Sequence, residues 1–463
     1  MSDTSTDRPS GEHENSGGAS APATPPARDY PSPTRAWYMV ALLTVAYVFS
    51  FIDRYVLGLL TEPIRADLGL TDFQFSLLLG PAFAIFYATM GLPLGWLADK
   101  KRRTWIVGVG IALWSAATVA SGLAKNFWHM FLARMSIGVG EATLSPCAMS
   151  MISDSFPKEK RAKPIAFYTM ALSLGAGIAS LLSAAVLQWA KTVEGVDLPL
   201  VGTVKPWQFT FFVVGLPGLV LAVFFFFLRE PPRHKPAVAP EGGDNLWDML
   251  RHVFANASLY LPFIAIFCYM TIIAYSQGFG APLFQRTWGW EPAKYATVNA
   301  IVLLATGPFA VNYAGWLSDR WTSKGISDAP VRIALIGVAI IIVTGVAAPL
   351  VPNPYVAMAI YGANTVGIAF VSAVGVTALL NITPAGIKAQ LVAFYYMCIS
   401  MAGLFIGPPA IGLFNDFVFG TDGIRYSMAL VPALFGIPVL LAGPYVLRKY
   451  RAANAYYESL GQN

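Results

Sequence analysis

Apolar residues run in long blocks from about residue 36 to residue 447, separated by short polar turns. The blocks predict helices over 36–61, 73–97, 104–124, 127–153, 163–190, 207–228, 257–286, 293–317, 331–350, 355–379, 387–416 and 425–447. About 20 apolar residues suffice to cross a bilayer as a helix. Lipid offers backbone N–H and C=O groups no partner, so blocks of this kind must be helical. The longest internal break, 229–256, is polar and Pro-rich and divides the twelve spans six and six. The pattern therefore predicts an all-α membrane protein of twelve transmembrane helices in two six-helix bundles. The expected divisions are a tail over 1–35, a bundle over 36–228, a linker over 229–256, a second bundle over 257–449 and a tail over 450–463. The first tail is rich in Ser, Pro, Gly and Glu and has no apolar run. It reads as a disordered cytoplasmic segment and not as a signal peptide.

Composition sharpens this picture. Hydrophobic residues make up 56% of the chain and charged residues 12%, roughly half the charged share of a soluble domain. The net charge of +6 does not call for nucleic acid, because its distribution is a topology signal. With both termini in the cytoplasm, the inward segments hold 22 of the 31 Lys and Arg residues and the outward loops hold seven. That bias is the positive-inside pattern, and it predicts a multi-pass protein of the cell inner (plasma) membrane. The sequons at Asn256 and Asn381 then face the cytoplasm and carry no glycan. Cys147, Cys268 and Cys398 lie singly within apolar blocks, and His13, His129, His234 and His252 have no ligand spacing. No metal, cofactor or disulfide framework is expected. No phosphate-binding Gly-x-x-x-x-Gly-Lys-Ser/Thr segment occurs, and the spans hold no nucleophile–base or zinc-protease arrangement. An ATP-driven pump and a membrane enzyme are both disfavoured, and a monomeric carrier driven by an ion gradient is expected.

The two halves share a repeat. GWLADKKRR begins at Gly95 after the second span, and GWLSDRWTSKG begins at Gly315 after the eighth, 220 residues later. A repeated Gly-x-Leu-x-Asp followed by bases at corresponding points implies one fold used twice, with the substrate held between the halves near mid-membrane. The repeat resembles the signature loop of the major facilitator superfamily. That resemblance implies a cytoplasmic gate made by Gly95, Asp99, Arg102 and Arg103 and, in the second copy, Gly315, Asp319 and Arg320. Asp99 and its neighbouring bases would latch the cytoplasmic face when the carrier opens outward.

A narrower likeness lies in the first half. FIDRYVLGLL (Phe51 to Leu60), ARMSIGVGEATLSP (Ala133 to Pro146) and the following SDSFPKEKRAKPIAFYTMALSLGAG are similar to the spinster family. The substrates of that family are linked to sphingolipids, lysophospholipids and sugars. The Gly/Pro pattern that marks many antiporters on span 5 is present here only as SLGAGIAS, without the proline. Antiport is not implied.

Only four charges fall deep inside the spans: Asp53 and Arg54 in span 1, Arg134 and Glu141 in span 4. Intramembrane charges mark function by default. Asp53 lies eight residues from the outer end of its span and Arg134 seven from the outer end of its own, so the two share a depth. Glu141 lies seven residues beyond Arg134 on the same face and roughly 10 Å deeper. We expect Asp53 to pair with Arg134, and Arg54 and Glu141 to face the cavity. Glu141 is then the first candidate for a coupling proton and Asp53 the second, while the fork of Arg54 suits an anionic headgroup. A cluster balanced at two positive and two negative charges also suits a purely structural tie between spans 1 and 4, and both readings stand at this level.

Weaker polar signals add Tyr275, Gln277, Asn299 and Tyr395 as substrate contacts, with Asn364 and Tyr396 as similar cavity candidates. Gly403, Gly407 and Gly412 with Pro408 and Pro409 read as a packing and bending element of span 11. The expected function is alternating-access, proton-coupled transport of an amphipathic anion such as a lysophospholipid or sphingosine phosphate. A small polar organic anion or a sugar is the alternative.

Overall fold

The computed structural model describes residues 30–157, 160–190, 192, 196–198, 202–233, 246–384 and 387–459. The first half comprises α1 (Pro33–Leu59), α2 (Thr61–Leu68), α3 (Asp72–Leu79), α4 (Pro81–Lys100), α5 (Arg103–Ser121), α6 (Phe127–Glu141), α7 (Leu144–Ser155), α8 (Ala162–Ala190) and α9 (Pro206–Phe227). A short hairpin, β1 (Val196–Leu198) against β2 (Gly202–Val204), joins α8 to α9. Helix α10 (Leu246–Ala255) follows, and then the second half: α11 (Ala257–Ser276), α12 (Gly280–Trp288), α13 (Pro292–Ser323), α14 (Ala329–Leu350), α15 (Pro354–Leu380), α16 (Lys388–Phe414) and α17 (Ile424–Ser459).

With α3–α4, α6–α7 and α11–α12 each counted as one broken span, these helices form twelve crossings in two six-helix bundles. Ten helical stretches among the described residues are long and apolar enough to cross a bilayer. The fourth crossing, α6–α7, carries Arg134 and Glu141. The fifth, α8, has its described apolar stretch over Gly177–Trp189. We call the face where α1 begins and α17 ends the terminal face, and the opposite one the distal face.

Several predicted boundaries are corrected. The predicted span 73–97 breaks at Gly80, where Pro81 restarts the helix from its favoured first position. The predicted span 127–153 breaks after Glu141. The predicted span 257–286 is interrupted by a 3₁₀ turn at Gln277–Phe279. The repeat motifs lie inside helices, with Gly95 to Lys100 in α4 and Gly315 to Arg320 in α13. The expected tail over 450–463 continues α17 to Ser459, with Tyr450 and Asn454 buried. Pro33 already starts α1 inside the expected tail of 1–35, whose first 29 residues lie outside the described ones.

The expected linker of 229–256 contains α10, which seals onto the second half by burying Met249 and Val253. The Nε2 of His252 in α10 lies 3.2 Å from the Tyr260 hydroxyl and 3.5 Å from that of Tyr457. Tyr260 donates in turn to Ile382 O at 2.7 Å.

The distal face is where the halves fuse. One continuous apolar core there includes Val56 and Leu60 of the first half with Phe279 and Leu283 of the second. A Cβ on Gly58 would meet Gly278 O at 3.0 Å, and one on Gly80 would meet Leu404 O at 2.0 Å. These two glycines bring the halves into backbone contact.

A polar lock covers that seam. Arg286 of α12 donates to both carboxylate oxygens of Asp72, at 2.7 and 2.8 Å, and to Glu62 at 2.8 Å. Arg65 lies 3.0 Å from the same Asp72, and Asn415 donates to it at 3.1 Å. Asp416 accepts the amides of Asp72 and Phe73 at the first turn of α3, at 3.1 and 2.8 Å, where a carboxylate also meets the positive end of the helix dipole. Among the described residues, the second apolar cluster belongs to the first half except for Leu404, Tyr275 and Phe405.

Two predictions follow from this arrangement. Charge-assisted bonds contribute about 1.5–3 kcal/mol each, and every ~1.4 kcal/mol is tenfold in population. Arg286→Ala should therefore speed labelling of a cysteine placed at Gln277, from the distal face of a cysteine-free background, by at least about tenfold. Burial pushes the His252 imidazole below its ordinary value. The folded protein therefore binds this proton less well than the unfolded chain. The stability His252 contributes is full above the ordinary histidine value of about 6.5 and is lost as pH falls below it. The protection factors of the α10 amides against hydrogen exchange should fall between about pH 7 and pH 5, and His252→Gln should remove that step.

Candidate functional site

Helices α1 and α6 bring the four intramembrane charges together. Arg134 donates to Asp53 at 3.1 Å, and Thr118 of α5 donates to the other Asp53 oxygen at 2.7 Å. Both charged side chains are buried, at 2% and 3% exposure. Glycines make the close approach possible: a Cβ on Gly138 would meet Phe83 O at 2.3 Å, and one on Gly140 would meet Gly110 O at 2.6 Å. They press α6 against α4 and α5 at the depth of the charges.

Arg54 binds Glu141 through Nε at 3.0 Å and through Nη2 as well. Its guanidinium lies 4.5 Å from the Phe83 ring centre and 5.3 Å from that of Tyr87, close enough for the ring faces to attract the cation. Glu141 closes α6, the helix stopping there and restarting at Leu144. The expectation that Glu141 faces the cavity is corrected. Its side chain is 1% exposed and sits behind Arg54, which keeps 20% of its own side chain exposed. Among the described residues the second Glu141 oxygen, Oε1, has no hydrogen-bond partner, nor does Nε of Arg134.

A cavity of about 400 Å³ opens beside this cluster, between the halves. Of the expected contacts, Arg54, Tyr275, Gln277 and Asn299 line it, as does Asn364. Asn364 is partly committed, donating to Ile341 O and the Thr344 hydroxyl at 3.2 and 3.0 Å. Tyr395 is corrected: it packs edge-on against Phe267, 5.5 Å between centres, and is 2% exposed away from the cavity. Its neighbour Tyr396 is exposed and does not line the cavity either.

Arg134, expected only as a structural partner, lines the cavity too. Tyr55, Phe83, Tyr361 and Thr365 were not singled out by sequence reasoning. Tyr361 is buried, with a hydroxyl that has no hydrogen-bond partner among the described residues. Its only sequence signal is a place one turn ahead of Asn364 and Thr365, on the same face of α15.

The described gate residues, Arg102, Arg103, Gly315, Asp319 and Arg320, do not meet one another. Gly95 and Asp99 lie outside the residues whose side chains are described. Arg103 is consumed within the first half, by Asp154 at 2.5 Å, Glu230 and Ser150 at 2.7 Å each, and Pro231 O at 3.3 Å. Arg102 and Arg320 lie over Trp105 and Trp316, 5.7 and 5.0 Å from the ring centres. Asp319 is exposed, and a Cβ on Gly315 would meet nothing within 4 Å.

Residues 43–377 match the Major Facilitator Superfamily, and the chain belongs to that superfamily of membrane transporters. It is 27% identical over 300 residues to an MFS-type efflux pump of Mycolicibacterium smegmatis, covering 64% of this chain and 65% of that one. It is also 27% identical over 307 residues to a probable L-galactonate transporter of Escherichia coli, covering 63% of each. Over 239 residues it is 27% identical to protein spinster of Drosophila melanogaster, covering 51% of this chain and 36% of that protein. The chain thus spans less than two thirds of the length of each of these relatives. Its fold is shared by a bacterial homolog of the human lysosomal transporter spinster, solved in an inward-facing, unoccupied conformation. The TM-score is 0.76 at 23% identity, covering 93% of this chain and 99% of that one.

Removing one partner of a buried ion pair costs about 3–5 kcal/mol, because the other charge is left uncompensated. Asp53→Asn and Arg134→Gln should each lower thermal stability in detergent by that order. The double variant should lose less than the sum of the two, a coupling that a double-mutant cycle reads directly.

Proposed function

We propose that the protein is a proton-coupled secondary transporter that moves an amphipathic organic anion by alternating access. The observation that carries this reading is Arg54, which holds a buried Glu141 on one side and lines the inter-bundle cavity on the other. An anionic group entering the cavity competes with Glu141 for the guanidinium. Once Arg54 turns to the substrate, Glu141 is a buried carboxylate without its cation, and burial favours its neutral, protonated form. Release of substrate returns Arg54 to Glu141 and expels the proton. Asp53, already held by Thr118 and Arg134, is the secondary proton site.

The positive-inside count supports a cytoplasmic terminal face, in a protein of the cell inner membrane. The distal lock then closes the outside, and the cavity faces in. Asp99, Arg102, Arg103, Asp319 and Arg320 would close the cytoplasmic side after the lock opens.

The aromatic and aliphatic wall of Phe51, Phe83, Leu79, Met358 and Leu404 suits the chain of a lysophospholipid or sphingosine phosphate, in keeping with the similarity to spinster. The second reading is a small polar organic anion. It draws on Gln277, Asn299 and Thr365, on the unpartnered hydroxyl of Tyr361, and on the similarity to a probable L-galactonate transporter.

The test is uptake of labelled lysophosphatidylglycerol and of labelled galactonate into proteoliposomes, with and without a pH gradient. Glu141→Gln should abolish gradient-driven accumulation while downhill exchange survives. Arg54→Lys keeps the charge and loses the fork, and should reduce both modes by about tenfold or more. Undiminished driven accumulation in Glu141→Gln would overturn the coupling role.

A further inference from the structure

We infer that the first bundle carries, apart from the central cavity, a groove on its bilayer-facing flank that holds one anionic phospholipid. A trough of about 470 Å³ lies between α4, α5 and α6. Leu94 and Leu97 form one wall. Trp105, Val109 and Leu113, one helical turn apart along α5, form the other and are 49%, 56% and 40% exposed.

The trough owes its depth to two glycines. A Cβ on Gly110 would meet the Thr143 hydroxyl at 2.1 Å and Gly140 O at 2.8 Å, and one on Gly140 would meet Gly110 O at 2.6 Å. Helices α5 and α6 therefore touch backbone to backbone at the floor. From Arg102 to Leu113 the trough runs about 16 Å at the helical rise. That is half of a hydrocarbon core of about 30 Å, the depth of one leaflet.

The mouth decides what enters. Lys101 and Arg102 line it. Their neighbours are committed elsewhere: Arg103 to Asp154 and Glu230, and Lys100 to the Trp96 ring, 3.9 Å from its centre. Among the described residues no carboxylate pairs with Lys101 or Arg102. Two cations thus stand at headgroup level above an apolar slot, with Arg102 braced on Trp105 at 5.7 Å. A phosphate matches the guanidinium fork, and each base near an anionic surface adds about 1 kcal/mol of attraction. A zwitterionic lipid could fill the slot but would gain less at the mouth. The occupant would rest against the α4–α5 turn, beside the Arg103 clamp that ties α5 to α7 and to the segment after α9.

The test uses the full chain and palmitoyl-oleoyl phosphatidylglycerol, with phosphatidylcholine as the control. Native mass spectrometry should show one phosphatidylglycerol retained by the wild-type protein in preference to phosphatidylcholine. Val139→Trp, which fills the slot, should lose retention of both lipids. Lys101→Gln with Arg102→Gln should keep the slot and lose the preference, a drop of about tenfold or more in relative affinity. Independently of those variants, phosphatidylglycerol brominated on its acyl chain should quench wild-type tryptophan fluorescence, and Trp105→Phe should remove that increment. Equal retention in the filled variant, an undiminished preference in the charge variant, or quenching unchanged by Trp105→Phe would overturn the proposal.

Discussion

Four charges between helices α1 and α6 set the terms for the rest of the first bundle. Ions there cannot be left to water, so each must find its opposite within hydrogen-bond reach. Asp53 meets Arg134 and Arg54 meets Glu141 only because Gly138 and Gly140 allow α6 to press against its neighbours. The two pairs differ in kind. Asp53 has Thr118 as a further donor and is held on both oxygens, whereas Glu141 has one oxygen held and one free. A carboxylate held on both oxygens is a tie; one held on a single oxygen beside a cavity is a contact that can be exchanged.

The second bundle carries no comparable pair among its described residues. Its side of the cavity offers neutral groups such as Gln277, Asn299 and Tyr361. The division is sharp: charge chemistry lies on one wall, and shape with hydrogen bonding on the other. Gly403 and Gly407 seat α16 on α11, and Gly412 seats it on α3, so the expected packing element of span 11 also serves the seam between the halves.

Much of this was legible in the sequence, for identifiable reasons. Apolar blocks reveal spans because lipid enforces the helix, and charges as rare as Asp53, Arg54, Arg134 and Glu141 stand out against them. The depth argument that paired Asp53 with Arg134 needs only the helical rise. Glu141 was misplaced because sequence spacing gives a face and a level but not what stands between a side chain and the cavity; here Arg54 does. The distal lock was missed for a different reason. Glu62, Asp72, Arg286 and Asp416 lie in or next to predicted loops, where charges normally mean solvated surface. Nothing local to any of them says that a residue 214 positions away is its partner. Helix α10 escaped notice because the Pro-rich stretch before it dominates the composition of the linker. Tyr361 escaped because a tyrosine in an apolar span reads as packing until its hydroxyl is seen to lack a partner.

One contact in the lock has an evolutionary consequence. Asp416 grips α3 by its backbone amides and not by a side chain. Any residue but proline at positions 72 and 73 still presents an N–H, so drift in α3 cannot erase that bond, whereas a single change at 416 removes it. For that one bond the mutational risk falls on the second half alone, even though the Asp72 side chain at the start of the same helix carries the bonds to Arg286.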